Sequence, residues 1–191
     1  MSNFKSIGIN CLISPKASFY GMERIEIGDN VRIDDFCILS AGDEGIKIGS
    51  NVHIACHTSL IGAARIEIGD YVGVGGHSAI YSSTDDFNGN FLIGPTIDKR
   101  FTNVISKPVT FKKYSVIGSH VIVMPGVTLN EGSAVGAMSL VKKDVEEYAL
   151  WAGNPLQFVR LRKKGMREFV EGSILPQSTY LEGLDWYVTQ A

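Results

Sequence analysis

A six-residue spacing of aliphatic residues constrains this chain more than any other feature. Steps of six from Ile27 reach Ile33 and Leu39; from Ile48 they reach Ile54 and Leu60; from Ile68 they reach Val74 and Ile80. A longer walk from Phe111 reaches Ile117, Val123, Leu129, Val135 and Val141. Every position is apolar in a chain that is 45% hydrophobic, a coincidence on the order of 10⁻⁵ for random placement. Four residues after nearly every one stands a small or β-branched side chain, such as Val31, Cys37, Thr58, Ser78, Val121 or Ser139. Asp43 is the exception and falls where the period breaks.

A period of six does not keep apolar side chains on one face of an α-helix, and the segments are rich in β-branched residues. It does fit a short strand, a turn and another short strand, three times per coil. The aliphatics then point inward and their copies stack at about 4.8 Å. The 21 glycines find their use at the corners, where the chain needs conformations closed to most side chains. The spacing therefore predicts an all-β fold, a left-handed parallel β-helix of hexapeptide repeats.

Breaks in the period mark departures from the prism. Between Leu39 and Ile48, and between Leu60 and Ile68, the step is longer, which predicts bulged corners. Between Ile80 and Phe111 the repeat is lost, and the Gly, Pro, Asn and Asp content predicts a projecting loop over 82–108. Phe87, Phe91 and Phe101 within it argue for a functional loop rather than solvated slack. After Val141 the pattern ends. Residues 1–155 are thus expected to form the β-helix domain with its inserted loop, and 156–191 a C-terminal helix and tail. That helix, with a basic face, is expected from Leu156 to about Gly172; the tail with Trp186 and Tyr187 is expected to pack on it or on a neighbouring subunit.

Composition sets outer limits. A net charge of −2 gives no global basic field for nucleic acid, and no apolar run approaches the roughly 18 residues of a membrane span. The first residues lack the charged and apolar regions of a signal peptide. Cys11, Cys37 and Cys56 form neither an even set nor a CxxC pair, so they read as reduced thiols and a cytoplasmic location is expected.

Three segments carry a family resemblance: IGSHVIVMPGVTLNEGSAVGAMSLVKKDV from Ile117, YALWAGNPLQFVRLR from Tyr148, and IYSSTDDF from Ile80. Together they resemble the hexapeptide-repeat acyltransferase superfamily, in its maltose/galactoside O-acetyltransferase-like (sugar acetyltransferase) branch. The resemblance implies a homotrimer with prism faces side by side and active sites in the grooves between subunits. It implies acetyl-CoA as acyl donor, lying near the C-terminal coils. Carried over by position, Gly118, Ser119 and Ala137 would contact the pantetheine arm; Lys142, Lys143 and Arg160 would lie near the nucleotide phosphates, where cations suit a phosphorylated cofactor.

Acyl transfer needs a base near the acceptor. At the slot where the family has a histidine before its loop, this chain has Asp85, followed by Asp86 and Phe87, the expected acceptor-binding residues. An aspartate suits an amine better than an alcohol, because a neutral amine is already nucleophilic and needs mainly positioning. His57, His77 and His120 each stand three residues after a key aliphatic, a corner slot filled by Asn30 and Asn51 elsewhere. His57 and His77, in successive coils before the loop, are the histidine candidates for the base. His53 and His57 form an HxxxH pair, but its spacing differs from the three-histidine zinc site of β-helical carbonic anhydrases, so no metal is expected.

The expected activity is acetyl transfer from acetyl-CoA to the amino group of a nucleotide-linked sugar in bacterial surface-glycan (O-antigen, capsule or lipopolysaccharide) biosynthesis. Two alternatives stay open: O-acetylation of a sugar hydroxyl, and a non-catalytic β-helix scaffold.

Overall fold

The repeat folds as its spacing demands: in the computed structural model, which describes residues 3–172 and 188–189, the chain winds into a triangular prism. Face one stacks Ser6–Ile7, Ile25–Ile27, Ile46–Ile48, Ile66–Ile68, Val109–Phe111 and Thr128–Leu129 in parallel. Face two stacks Leu12–Ile13, Arg32–Ile33, His53–Ile54, Gly73–Val74, Val116–Ile117, Ala134–Val135 and Ala149–Ala152. Face three stacks Ser18–Tyr20, Ile38–Ala41, Ser59–Gly62, Ala79–Tyr81, Ile122–Val123 and Leu140–Val141. The first corner joins faces one and two, the second joins two and three, and the third returns to face one. The handedness is that of the left-handed β-helix.

All fifteen residues of the six-step walk are buried, none more than 3% exposed, and so are the small residues four positions on. Each buried aliphatic contributes roughly 1.5–3 kcal/mol relative to an exposed one. The stack of rungs is one continuous core. At its ends larger rings replace the aliphatics. Phe4 meets Phe19 edge-on at 5.1 Å, and Trp151, in register with Val135, caps the other end.

The corners hold side chains at left-handed backbone angles. Asn10, Asn30, Asn51, Tyr71 and Tyr114 do so at the first corner; Phe36, His57, His77, His120 and Met138 at the second. Inward hydroxyls satisfy the corner carbonyls: Ser78 Oγ donates to Gly118 O (3.2 Å), Thr58 Oγ1 to Gly75 O (3.3 Å) and Ser139 Oγ to Gly136 O (2.7 Å). Ser115 and Ser133, in the equivalent slot of the first corner, have no such partner among the described residues, and Val31, Val52 and Val121 fill the slot without a hydroxyl, so small size is what the position requires.

The three faces differ outside. Face one presents Glu26, Lys47 and Glu67 in register, with ion pairs from Lys5 and Arg65 to Glu26 and from Lys47 to Glu67. Face two carries the C-terminal extension: Met166 and Val170 of the helix lie over Tyr71, Gly73, Tyr114 and Val116 around a cavity of about 290 Å³. Face three presents Ser18, Ile38, Ser59, Ala79, Ile122 and Leu140 in one register column, without a charge.

One expectation about the C-terminal end needs correction. The helix expected from Leu156 runs only over Gly165–Gly172, and Gln157–Leu161 is a strand antiparallel to Ala149–Ala152. The open edge of face two offers unpaired backbone groups, and their satisfaction outweighs the helical spacing of the basic residues. At the opposite edge Val188–Thr189 pairs antiparallel with Leu12–Ile13. The placement of Trp186 and Tyr187 lies outside the described residues.

Candidate active site

The second corner gathers most of the residues singled out by sequence. Four of its left-handed residues donate their N–H to the corner of the coil before: His57 to Asp35 O (3.0 Å), His77 to Cys56 O (2.9 Å), His120 to Gly76 O (3.0 Å) and Met138 to Ser119 O (3.0 Å). This bonding sets the side chains in a column. The rings of Phe36 and His57 stand 4.9 Å apart, those of His57 and His77 4.6 Å, and those of His77 and His120 4.8 Å. The last two pairs are within 10° of parallel. A left-handed angle is costly for most side chains and tolerated better by histidine and asparagine, so the corner selects His over an aliphatic. All three imidazoles are exposed.

Gly118, Ser119 and Ala137 lie on this same corner, one and two coils beyond His77. Close stacking demands the glycine: a Cβ on Gly118 would stand 2.7 Å from the Ala137 amide nitrogen. Lys142, Lys143 and Arg160 do not join them. They ring the C-terminal end, with Lys143 Nζ 4.0 Å from the Trp151 ring centroid and Arg160 paired with Leu150 in the closing strand. Ala152, Gly153, Asn154 and the cis-linked Pro155 turn the chain into that strand, held by Gly153 N–H donating to Ser139 Oγ (2.7 Å).

The loop leaves the third corner of the fourth coil, directly after Ala79–Tyr81. Ser83–Thr84 pairs antiparallel with Ile105–Ser106 and closes its base. Asp86 is buried and organises the loop from inside, accepting from Asn88 N–H (2.8 Å) and from Asn103 Nδ2 (3.0 Å). The Asn103 amide, then the Asn88 N–H, holds its carboxyl below the usual carboxylate range. Asp85 beside it is half-buried, and Phe87 is 84% exposed.

Within one chain Asp85 and the histidines stand at opposite edges of face three. At about 3.3 Å per residue, the five steps from Ser78 to Ser83 separate the two edges by about 16 Å. They cannot act on one substrate atom from the same copy. His53 is apart from both: on face two its Nε2 lies 2.8 Å from Asp34 Oδ2, and Asp34 also accepts from Arg32 Nε at 2.7 Å. Among the described residues no group of three or more metal-ligating side chains comes together. Nor, among them, is any helix long and apolar enough to cross a membrane.

Sequence reading missed Phe36, although it stands three residues after Ile33 in the histidines' own slot. It missed Cys56 and Gly76, which line the corner between His57 and His77, and it had no signal for Asn103, seventeen residues from its partner.

No protein-family model matches the chain. It is 44% identical over 165 residues, 86% of each protein, to the dTDP-4-amino-4,6-dideoxy-D-glucose acyltransferase of Escherichia coli. It is 29% identical to the galactoside O-acetyltransferase of Escherichia coli K12, covering 82% of this chain and 64% of that one. Among solved structures, AntD, an N-acyltransferase from Bacillus cereus, superposes with a TM-score of 0.85 at 44% identity over 89% of each chain; that structure holds dTDP and 3-hydroxybutyryl-CoA. Another AntD structure, holding dTDP-4-amino-4,6-dideoxyglucose and coenzyme A, gives 0.84 at 43% identity over 90% of this chain and 93% of that one. The coils, the corner column and these relatives define the class: the chain belongs to the hexapeptide-repeat acyltransferases. Within them it is a sugar acyltransferase dependent on an acyl-CoA thioester.

Proposed function

We propose that the protein moves an acetyl group from acetyl-CoA to the amino group of a dTDP-linked amino sugar, in the cytoplasm, for surface-glycan assembly. The observation that carries this is the 44% identity, over 86% of both chains, to an acyltransferase of a dTDP-linked 4-amino sugar. The aspartate in place of the family's histidine favours the same acceptor over a hydroxyl.

The working unit is a homotrimer. Face one is charged and face two carries the C-terminal extension, which leaves face three, with Ile38 and Ile122 exposed, as the surface for self-association. Three copies packed on face three about an axis parallel to the solenoid bring the second corner of one against the third corner of the next. Rotation preserves height along such an axis. The loop leaves the fourth coil, so it meets the neighbour's corner at the fourth coil, where His77 stands. Height therefore selects His77 over His57 and His120, and pairs it with Asp85 from the adjoining copy.

In that groove the donor's arm runs along Gly118, Ser119 and Ala137 toward Lys142, Lys143 and Arg160, and Asp86 and Phe87 shape the acceptor side. The sugar nitrogen attacks the thioester carbon, the C–N bond forms and the C–S bond breaks. The proton leaves the nitrogen for His77 or Asp85, and coenzyme A departs as the thiol after taking it up. No covalent enzyme intermediate is involved.

The test incubates the protein with acetyl-CoA and dTDP-4-amino-4,6-dideoxyglucose, with dTDP-glucose as the hydroxyl-only control, and reads thiol release and product mass. A mass gain on the amino sugar alone is expected. Acetylation of both sugars would move the assignment to O-acetylation. No transfer to either would overturn this acceptor assignment.

A further inference from the structure

Phe36 holds a left-handed backbone angle (φ 61°) at the second corner of the second coil and is 51% exposed. That conformation is uncommon for a bulky side chain and costs energy wherever it occurs. At other left-handed corners packing offsets the cost: Tyr114 and Tyr148 are buried, and Tyr71 stacks on Tyr114 with 5.5 Å between centroids. Phe36 is packed less fully. His57, from the coil after, stacks on its ring at 4.9 Å, and Lys16 Nζ, from the coil before, stands 5.5 Å over the ring, held by Asp35 at 2.7 Å. Half of the residue is left to solvent. Asparagine, which holds the same angle at Asn10, Asn30 and Asn51, would serve the corner with less strain. A bulky outlier of this kind points to a contact made with something other than the fold.

Phe36 begins the column that climbs through His57 to His77. On the reading above, the donor reaches His77 from the C-terminal side, past Met138 and Ser119, and the acceptor's amine meets the thioester there. The rest of the acceptor then leads away on the N-terminal side, along His57 toward Phe36. We infer that Phe36 packs against the nucleobase of the acceptor and sets how tightly the nucleotide is held; this rests on the proposed function. With His57 on one face, the ring offers its outer edge, and an aromatic edge seats on the π face of another ring. The base is the part of a nucleotide sugar that brings such a face.

The experiment measures KM for dTDP-4-amino-4,6-dideoxyglucose and for acetyl-CoA, and the Kd of dTDP by calorimetry. It compares the natural protein with Phe36→Asn, Phe36→Tyr and Met138→Asn, taking melting temperature and light scattering for each. Loss of one base–aromatic contact weakens binding by about tenfold or more. Phe36→Asn is expected to raise the acceptor KM and the dTDP Kd by that factor, while the acetyl-CoA KM, oligomeric state and melting temperature are retained. Phe36→Tyr, which keeps the ring, should stay near the natural values, and Met138→Asn, on the donor side, should leave the dTDP Kd alone. An unchanged dTDP Kd in Phe36→Asn overturns the inference. So does a fall to monomers or in melting temperature, because the ring would then serve the contact between copies or the core. Failure of the natural protein to bind dTDP overturns it together with the proposed function. Absence of transfer to the amino sugar, with dTDP still bound less tightly by Phe36→Asn, would sink the acceptor assignment and leave the base contact standing.

Discussion

The imidazole of His77 lies over that of His57 with 4.6 Å between ring centroids and 10° between planes, each ring carried by a left-handed corner residue. The stack engages the faces of the His77 ring rather than its nitrogens, as the role proposed for His77 requires.

Replacing each histidine by asparagine keeps a residue that tolerates the corner angle and removes only the ring. His77→Asn is expected to lower kcat/KM by about 100-fold, the lower end of what a general base contributes. His57→Asn and His120→Asn, which lose only a stacking neighbour, should fall by less than about tenfold. Steady-state kinetics on the three variants check this, and equal losses would give the role to the column rather than to His77.

A site shared between copies can be rebuilt from two broken ones. His77→Asn and Asp85→Ala should each be nearly inactive alone, yet mixing them through mild dissociation and reassembly should restore part of the activity, because a mixed trimer contains an interface with both residues intact. Activity that stays at the single-variant level would place His77 and Asp85 in separate roles. Ile122→Glu, by putting charge on face three, is expected to yield monomers by light scattering.

Asp86 links the loop's two limbs through Asn88 and Asn103, so Asp86→Ala should speed tryptic cleavage at the exposed Lys99 and Arg100. The carboxyl's folded pKa is depressed, so its contribution is fully present above the unfolded value of about 3.9 and is lost as pH falls through the lower folded one. Loop amide protection, corrected for intrinsic exchange, should stay level from neutral pH down to about 4 and weaken below it.

Thiol labelling should separate the cysteines. Burial pushes the Cys37 thiol up to about 11 and raises that of Cys11, so both should resist iodoacetamide in the folded protein. Cys56, half-buried at the corner, should label first, and acetyl-CoA should protect it. Labelling followed by peptide mass mapping measures both effects; unprotected Cys56 at saturating donor would take the thioester away from this corner.

Gly75→Ala tests how closely the coils stack. Its Cβ would press on the Gly118 backbone, which no rotamer change can relieve. A loss of about 1–3 kcal/mol in denaturant unfolding is expected.

The coils were legible because each inward residue reports on the same kind of site: Ile33, Ile54, Val74 and Ile117 face one core, so the sequence repeats what the structure repeats. The histidine column was legible for the same reason, through its fixed offset from the rungs. What escaped depended on contacts between segments far apart in sequence. Asn103 reaches Asp86 only because the loop folds back. Gln157–Leu161 is a strand only because face two ends beside it. The split between Asp85 and His77 follows from the width of face three, which no spacing along the chain records.

The two coils beyond the loop also act as a ruler. Each adds about 4.8 Å of corner between His77 and the cations at the end. A protein built this way changes its reach only in whole-coil steps. On the proposed placement of the donor, inserting or deleting one coil after Phe111 would move Lys142, Lys143 and Arg160 past or short of its phosphates while leaving the reacting end untouched. On that placement the span available to the donor is set by the number of coils, and drift in any single residue cannot alter it.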